Sequence, residues 1–161
     1  MFQRETHLNQ FLMGYLDKVV ADIPNDRIAE RGAGGGHPPV WILGHLAIVG
    51  EMGQMLLGGA LEHPEWFPIF GPGSSDEVQG ADRFSKNELI QVIHTAYPKV
   101  CELAAATPPE RLEQPHGFEL LNDTAISTVG DLTTHGLTAH FAFHLAQLSA
   151  WRRADGKGPI M

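Results

Sequence analysis

The stretch that decides the fold is LTAHFAFHLAQLSAW, residues 137–151. Its apolar residues recur at the spacing of three and four that is typical of an amphipathic helix, and the stripe that they form includes His140 and His144. A capping-box pattern at residues 128–131, Thr-Val-Gly-Asp, marks the start of this helix. Glycine and proline after Ala154 mark its end. The pattern predicts a long helix with two histidines on its buried face.

Three further segments carry the same helical period. They are predicted over about Phe2–Ala21, Pro38–Leu57 and Ser85–Ala106, with Pro- and Gly-rich joints between them. The first joint contains the glycine-rich run of residues 32–36 and is expected to be flexible. No segment shows a convincing alternating pattern of a strand. Four amphipathic helices of this length predict an all-α fold, a four-helix bundle.

Two details of the bundle follow from the same patterns. Pro98 falls inside the third helix and predicts a kink there. The long connection over residues 61–82 is rich in Pro and Gly, and its apolar segment EWFPIF (residues 65–70) is expected to pack on the bundle as a lid over one end. The predicted buried stripe of the first helix is Leu8, Phe11, Leu12, Tyr15 and Val19.

Composition limits the classes of protein that this chain could be. Its 161 residues suit a single domain over residues 1–161, and 43% hydrophobic residues suffice for a core. A net charge of -8 disfavours nucleic-acid binding. The single cysteine, Cys101, excludes an internal disulfide, and no apolar run approaches the roughly 20 residues of a membrane span. With a polar N-terminus, these features predict a cytoplasmic protein without a membrane partner.

The histidines on the buried faces indicate a metal site. His140 and His144 are four residues apart, so both rings project from one helix face with a rise of about 6 Å between them. His45 interrupts an apolar seam of the second helix in the same way. Burying one unpartnered imidazole costs about 1–3 kcal/mol, and a shared divalent metal ion would satisfy all three. The alternative is that each is a core histidine satisfied by a carbonyl group or by water.

The motifs that carry these histidines resemble the DinB-like superfamily. The chain has PPVWILGHLA at residues 38–47 and HFAFHLAQL at residues 140–148. The family places one metal-ligand histidine in a W-x-x-x-H-L setting and two in H-x-x-x-H-x-x-Q-L, and His45, His140 and His144 match these three positions. The resemblance covers nearly the whole chain, with a small departure where Ala146 replaces a common glycine. It implies a four-helix bundle, a homodimer, and kinship with bacillithiol- and mycothiol-dependent enzymes.

The expected function is metal-dependent thiol chemistry. Three imidazoles leave coordination positions open, as in catalytic sites, and they suit zinc or nickel first, then iron or copper. A zincin-type hydrolase would need Glu directly after His140, where the chain has Phe141. Thiol transfer needs no such base, because coordination itself deprotonates a thiol. The resemblance points the same way and implies a low-molecular-weight-thiol S-transferase that acts on a small electrophilic substrate. The alternatives are a metal-binding stress or interaction protein without turnover, with Trp41, Trp66 and Phe67 filling the space over the metal, and a metal-water hydrolase.

Two residues are weaker candidates for contact with the substrate or with the metal ligands. Trp41 lies one turn before His45, and Gln147 lies one turn after His144, where it could bond a ligand or simply be a polar bundle position. His135 is predicted to point away from the site, because five residues of regular helix rotate it by about 140° from His140.

The other histidines are given ordinary roles. His63 and His116 are expected at the surface, and His94 is expected to be half-buried with a partner. His37, at the start of the second helix, suits capping or exposure to solvent as well as contact with the metal ligands.

Overall fold

The computed structural model of the protein describes residues 1–32 and 35–160. Within these ranges the chain is helical and has no β-strand, which confirms the predicted all-α fold. Ala33 and Gly34 of the predicted flexible joint lie outside the described residues. The α-helices are α1 (Gln3–Ala21), α2 (Pro39–Leu56), α3 (Phe67–Phe70), α4 (Lys86–Ala106), α5 (Pro109–Leu112), α6 (Val129–His135) and α7 (Phe141–Ala154). Short 3-10 helices cover Asn25–Arg27, Pro64–Trp66, Ala81–Arg83 and Glu119–Leu121.

The bundle consists of α1, α2, α4 and a fourth helical segment, in which α6 and α7 follow each other with only a short helical turn between them. The helix α2 packs mainly on α4, and α1 packs mainly on α7. Both predicted capping boxes are present: Ser85 pairs with Glu88, and Thr128 with Asp131. Pro98 lies inside α4 without ending it. In the described residues, no helix combines the length and the hydrophobicity that crossing a bilayer requires.

A π-helical turn, Gly136–His140, joins α6 to α7. In such a turn each backbone N–H bonds the carbonyl five residues earlier, so the side chains that follow are rotated relative to a regular α-helix. The side-chain amide nitrogen of Asn9, Nδ2, donates a hydrogen bond of 2.9 Å to the carbonyl oxygen of Leu137 in this turn. The fourth predicted helix is therefore present but not uniform.

The predicted stripe of α1 was wrong in part. Leu8 and Phe11 are 52% and 57% exposed, whereas Asn9 is buried because its amide bonds the π-helical turn. The buried face of α1 is thus displaced by about one residue from the most hydrophobic stripe. Its buried residues are Asn9, Met13, Leu16, Val19 and Val20.

The segment after α2 folds back onto that helix. Trp66 and Phe70 are buried, and their rings form edge-to-face contacts with Phe84. Phe67, from the same predicted apolar segment, is 41% exposed. Gly44 of α2 makes this approach possible, because a Cβ atom there would lie 2.4 Å from the ring of Phe70.

We expect Gly44→Ala to lower the free energy of unfolding by about 2 kcal/mol. Alanine improves helix propensity by about 1 kcal/mol, but overpacking against a buried ring costs up to about 3 kcal/mol. Gly14→Ala is the matched control, because Gly14 lies in α1 with no atom near its virtual Cβ, and it should stabilise the protein by about 0.5–1 kcal/mol. Urea unfolding of the three proteins measures both effects. Equal stability of the two variants would contradict this packing.

Candidate metal centre

Three histidines from two parts of the bundle converge on one point. His45 comes from the middle of α2, His140 ends the π-helical turn, and His144 lies in the first turn of α7. One ring nitrogen of each lies within 4.8 Å of the others, and the Nε2 atoms of His45 and His140 are 3.1 Å apart. His45 and His144 are only 5% and 6% exposed. The structure thus brings together the three residues that the sequence singled out.

Hydrogen bonds on the outer side of two rings decide which nitrogens face inward as acceptors. His45 Nδ1 lies 2.6 Å from the carbonyl oxygen of Phe70, which can only accept, so Nδ1 carries the proton. His144 Nδ1 lies 2.8 Å from Oε1 of Gln147 and donates to it. Neutral rings with protonated Nδ1 keep a lone pair on Nε2. Both lone pairs are therefore available for a cation at the centre of the cluster.

The surroundings of the cluster keep the imidazoles neutral. Burial lowers the pKa of His140 to about 3, with a further contribution from the neighbouring histidines. Burial and the nearby His45 lower the pKa of His144 to about 4, and burial lowers the pKa of His45 as well. Neutral imidazole is the form that binds metal ions, because a proton and a metal compete for the same lone pair.

Trp41 and Gln147 support the ring orientations. The indole of Trp41 stacks on His45 with ring centroids 4.7 Å apart and an angle of 7°, and its N–H donates to the hydroxyl of Ser74. The side-chain amide oxygen of Gln147 accepts a hydrogen bond from the ring of His144. On the outer side, the ring of His37 lies against Trp41, with 4.2 Å between centroids and an angle of 32°.

We expect Gln147→Leu to weaken metal binding by roughly 10- to 100-fold, because outer hydrogen-bond partners of ligand histidines fix the tautomer and the ring orientation. Competition with a chromophoric chelator measures the zinc dissociation constant. Gln91→Leu, an exposed position on α4, is the control and should bind like the wild type. If the two variants have equal zinc affinity, Gln147 does not support the site.

A cavity of about 430 Å³ opens beside the histidine cluster. Its volume is within the range of small-molecule sites. His45 and His140 form part of its wall, and no Asp, Glu, Lys or Arg of the described residues lines it. Its apolar wall includes Val49, Met52, Leu56, Tyr97, Val100, Leu132 and Leu137.

The predicted lid, residues 61–82, does not cover this cavity. Residues 61–82 contribute Pro72 alone to the lining, so the predicted lid packs on α2 instead. The covering segment is 116–121, which follows α5 and had no recognisable signal in the sequence. Trp41, Trp66 and Phe67 do not line the cavity, so these large side chains do not fill it.

His135 is not one of the three clustered histidines, but it lies beside them instead of pointing away as regular helix geometry predicted. Its ring centroid is 5.6 Å from that of His140, and it lines the same cavity. The predicted rotation of about 140° applies to a regular α-helix, whereas the π-helical turn aligns residues five apart. Burial lowers the pKa of His135. The sequence contains no clear signal for a π-helical turn, so this residue could not be placed beforehand.

Three other histidines also differ from their predicted roles. His63 donates from Nδ1 and from its backbone N–H to the buried carboxylate of Glu51, at 2.6 and 2.9 Å, which holds the segment after α2 in place. His116 donates from Nε2 to the carbonyl oxygen of Ile126 and accepts at Nδ1 from the backbone N–H of Phe118, which belongs to the segment that covers the cavity. His94 is exposed rather than half-buried, and its ring pairs with Asp17 at 2.7 Å.

Comparison with known families places this geometry in context. A family model described as the DinB superfamily matches residues 12–148, a range that contains all three clustered histidines. No curated protein and no solved structure shows significant similarity to the chain.

Proposed function

The chain belongs to the DinB superfamily, and we propose that it is a metal-dependent thiol S-transferase in which His45, His140 and His144 hold one divalent cation. Its substrates are a low-molecular-weight thiol and a small electrophile. The observation that carries this proposal is the open apolar cavity beside the cluster, because a site for a structural metal needs no such space.

The donor set fits a cation of this kind. Two nitrogens that bind one zinc ion at 2.0–2.1 Å with tetrahedral angles lie about 3.3 Å apart, and the Nε2 atoms of His45 and His140 are separated by 3.1 Å. Without a cation, Nε2–H of His140 can donate to Nε2 of His45 across this contact, and a bound cation would replace that proton. Three neutral imidazoles favour zinc or nickel, and they also suit iron(II) or copper.

A bound divalent cation would supply one kind of chemistry here, the lowering of the pKa of a coordinated thiol. The chain itself supplies orientation and a dry surface. Phe70 and Gln147 fix the two rings from outside, and the apolar wall of the cavity excludes water from the reacting groups. In the overall reaction, the thiol sulfur bonds to the electrophilic carbon, the leaving group departs with its electron pair, and the thiol proton passes to solvent.

Hydrolysis is less well supported because the cavity offers no carboxylate as a general base. The buried carboxylate of Glu51 is on α2, but it accepts two hydrogen bonds from His63 and does not line the cavity. A metal-binding protein without turnover would not need the open cavity. The homodimer and the cytoplasmic location stay predictions.

The test is a transfer assay with monochlorobimane, a neutral electrophile that loses chloride when a thiol attacks. Zinc- and nickel-loaded protein is incubated with bacillithiol, mycothiol, glutathione or cysteine, and adduct fluorescence is recorded. We expect a rate above that of the His45→Ala variant with at least one thiol. Rates that match this variant with every thiol and both metals would rule out the transferase, while unchanged metal uptake would leave the metal site standing.

A further inference from the structure

The polar side chains that line the cavity differ in whether they already form hydrogen bonds within the protein. His116 uses both ring nitrogens on backbone partners, and the hydroxyl of Thr133 donates to the carbonyl of Val129 at 2.7 Å. Neither has a group left for a strong contact with a bound molecule. Of the remaining lining side chains, Tyr97 and His135 form no hydrogen bond with the described residues, and the Nδ1 atom of His140 also has no partner but is fully buried.

Tyr97 is poorly placed to reach a ligand. Its side chain is 1% exposed, and the hydroxyl is fully buried, so a molecule in the cavity does not reach that oxygen without displacing the wall. His135 is half-buried and lines the cavity, so its ring has accessible surface there. The accessible polar side chain that remains is therefore His135.

The π-helical turn is what brings His135 to this position. It aligns His135 with His140, five residues later, and places the two rings 5.6 Å apart. π-helical turns are rare in proteins and are frequently found at functional sites. Here the turn adds a polar group to the cavity next to the three-histidine cluster.

We propose that the cavity binds a neutral, largely apolar small molecule with a carbonyl oxygen, and that His135 donates a hydrogen bond to this oxygen. An imidazole has at least one N–H in either protonation state, so His135 has a proton to donate. A charged ligand would lose its hydration without gaining an opposite charge, since no Asp, Glu, Lys or Arg of the described residues lines the cavity. This inference deepens the proposed function, on which it rests for identifying the molecule as the electrophile.

The probe for this proposal is 6-propionyl-2-(dimethylamino)naphthalene, a neutral aromatic ketone whose emission reports hydrogen bonding to its carbonyl. We expect the wild-type protein to bind it both with zinc and after removal of metal by a chelator. His135→Phe should weaken binding by roughly threefold to tenfold and shift the emission to shorter wavelength, as expected for one lost hydrogen bond. His135→Gln should restore much of the affinity, because its amide can donate.

Two controls separate this hydrogen bond from a general effect on the cavity. 2-(Dimethylamino)naphthalene lacks the carbonyl and should bind equally to wild type and to His135→Phe. Tyr97→Phe should bind the ketone like the wild type. The carbonyl stretching frequency of the ketone bound to wild-type protein is a readout without any variant, and it should lie below its value in hexane.

Several results would overturn the proposal. They are no binding of the ketone, equal affinity and emission in His135→Phe, an unshifted carbonyl stretch, or a loss of affinity in Tyr97→Phe alone. Because ketone binding to metal-free protein requires neither the metal nor a thiol, failure of the transferase assay does not cause failure here. Conversely, thiol transfer to monochlorobimane without ketone binding would retain the proposed function and remove this inference.

Discussion

The metal-free protein is expected to lose about 4 kcal/mol of its free energy of unfolding when the pH falls from 7 to 5. The pKa values of His140 and His144 are about 3 and about 4 in the folded protein, against 6.5 as the ordinary value. The unfolded chain therefore binds more protons than the folded chain between about pH 6.5 and pH 4. In this window the free energy of unfolding decreases as the pH decreases. Each of the two histidines contributes about 1.4 kcal/mol per pH unit over roughly 1.5 units.

Urea unfolding at several pH values in the presence of a chelator measures this loss. The double variant His140→Leu with His144→Leu is the control, because it keeps every other titrating group. We expect its stability to fall much less over the same range. If the wild type and the double variant show the same dependence on pH, the two histidines are not held neutral by burial.

Zinc is expected to stabilise the wild type by about 4 kcal/mol when its free concentration is 1,000 times the dissociation constant. At the same zinc concentration, His140→Ala should lose at least about two thirds of this increment. It removes one of three ligands, and even the loss of an outer partner costs 10- to 100-fold in affinity. The loss of a direct ligand is therefore expected to exceed roughly 100-fold.

The matched control for this prediction is His94→Ala. His94 is exposed on α4 and pairs with Asp17 outside the cluster, so zinc should stabilise this variant as much as the wild type. Thermal unfolding with and without zinc gives the increment for each protein. An equal zinc increment in His140→Ala and His94→Ala would place the metal elsewhere.

The local signals in the sequence predicted the framework well. Capping boxes at Ser85 and Thr128 fixed two helix starts to the residue, since their side chains satisfy backbone N–H groups that any helix leaves open. The i, i+4 pair His140 and His144 stayed on one face because the regular helix α7 begins directly after His140. His45 was identifiable because a histidine in an apolar seam is costly without a partner.

The remaining features depend on contacts between distant parts of the chain. Asn9 is buried because of a carbonyl on the π-helical turn, and periodicity alone favours the more hydrophobic Leu8 and Phe11. The tautomer of His45 depends on the carbonyl of Phe70, twenty-five residues later. His135 lies beside the cluster because of the π-helical turn, and no residue pattern in the sequence predicts that turn. Sequence periodicity describes one helix at a time, and these features arise where helices and loops meet.

The most direct test of the account is the metal content of the purified protein. Wild type and His140→Ala are produced in medium supplemented with zinc and nickel, passed through gel filtration, and measured by elemental analysis. We expect one divalent metal ion per wild-type chain and a small fraction of that in the variant. A wild-type protein that holds no more metal than His140→Ala under these conditions would contradict it.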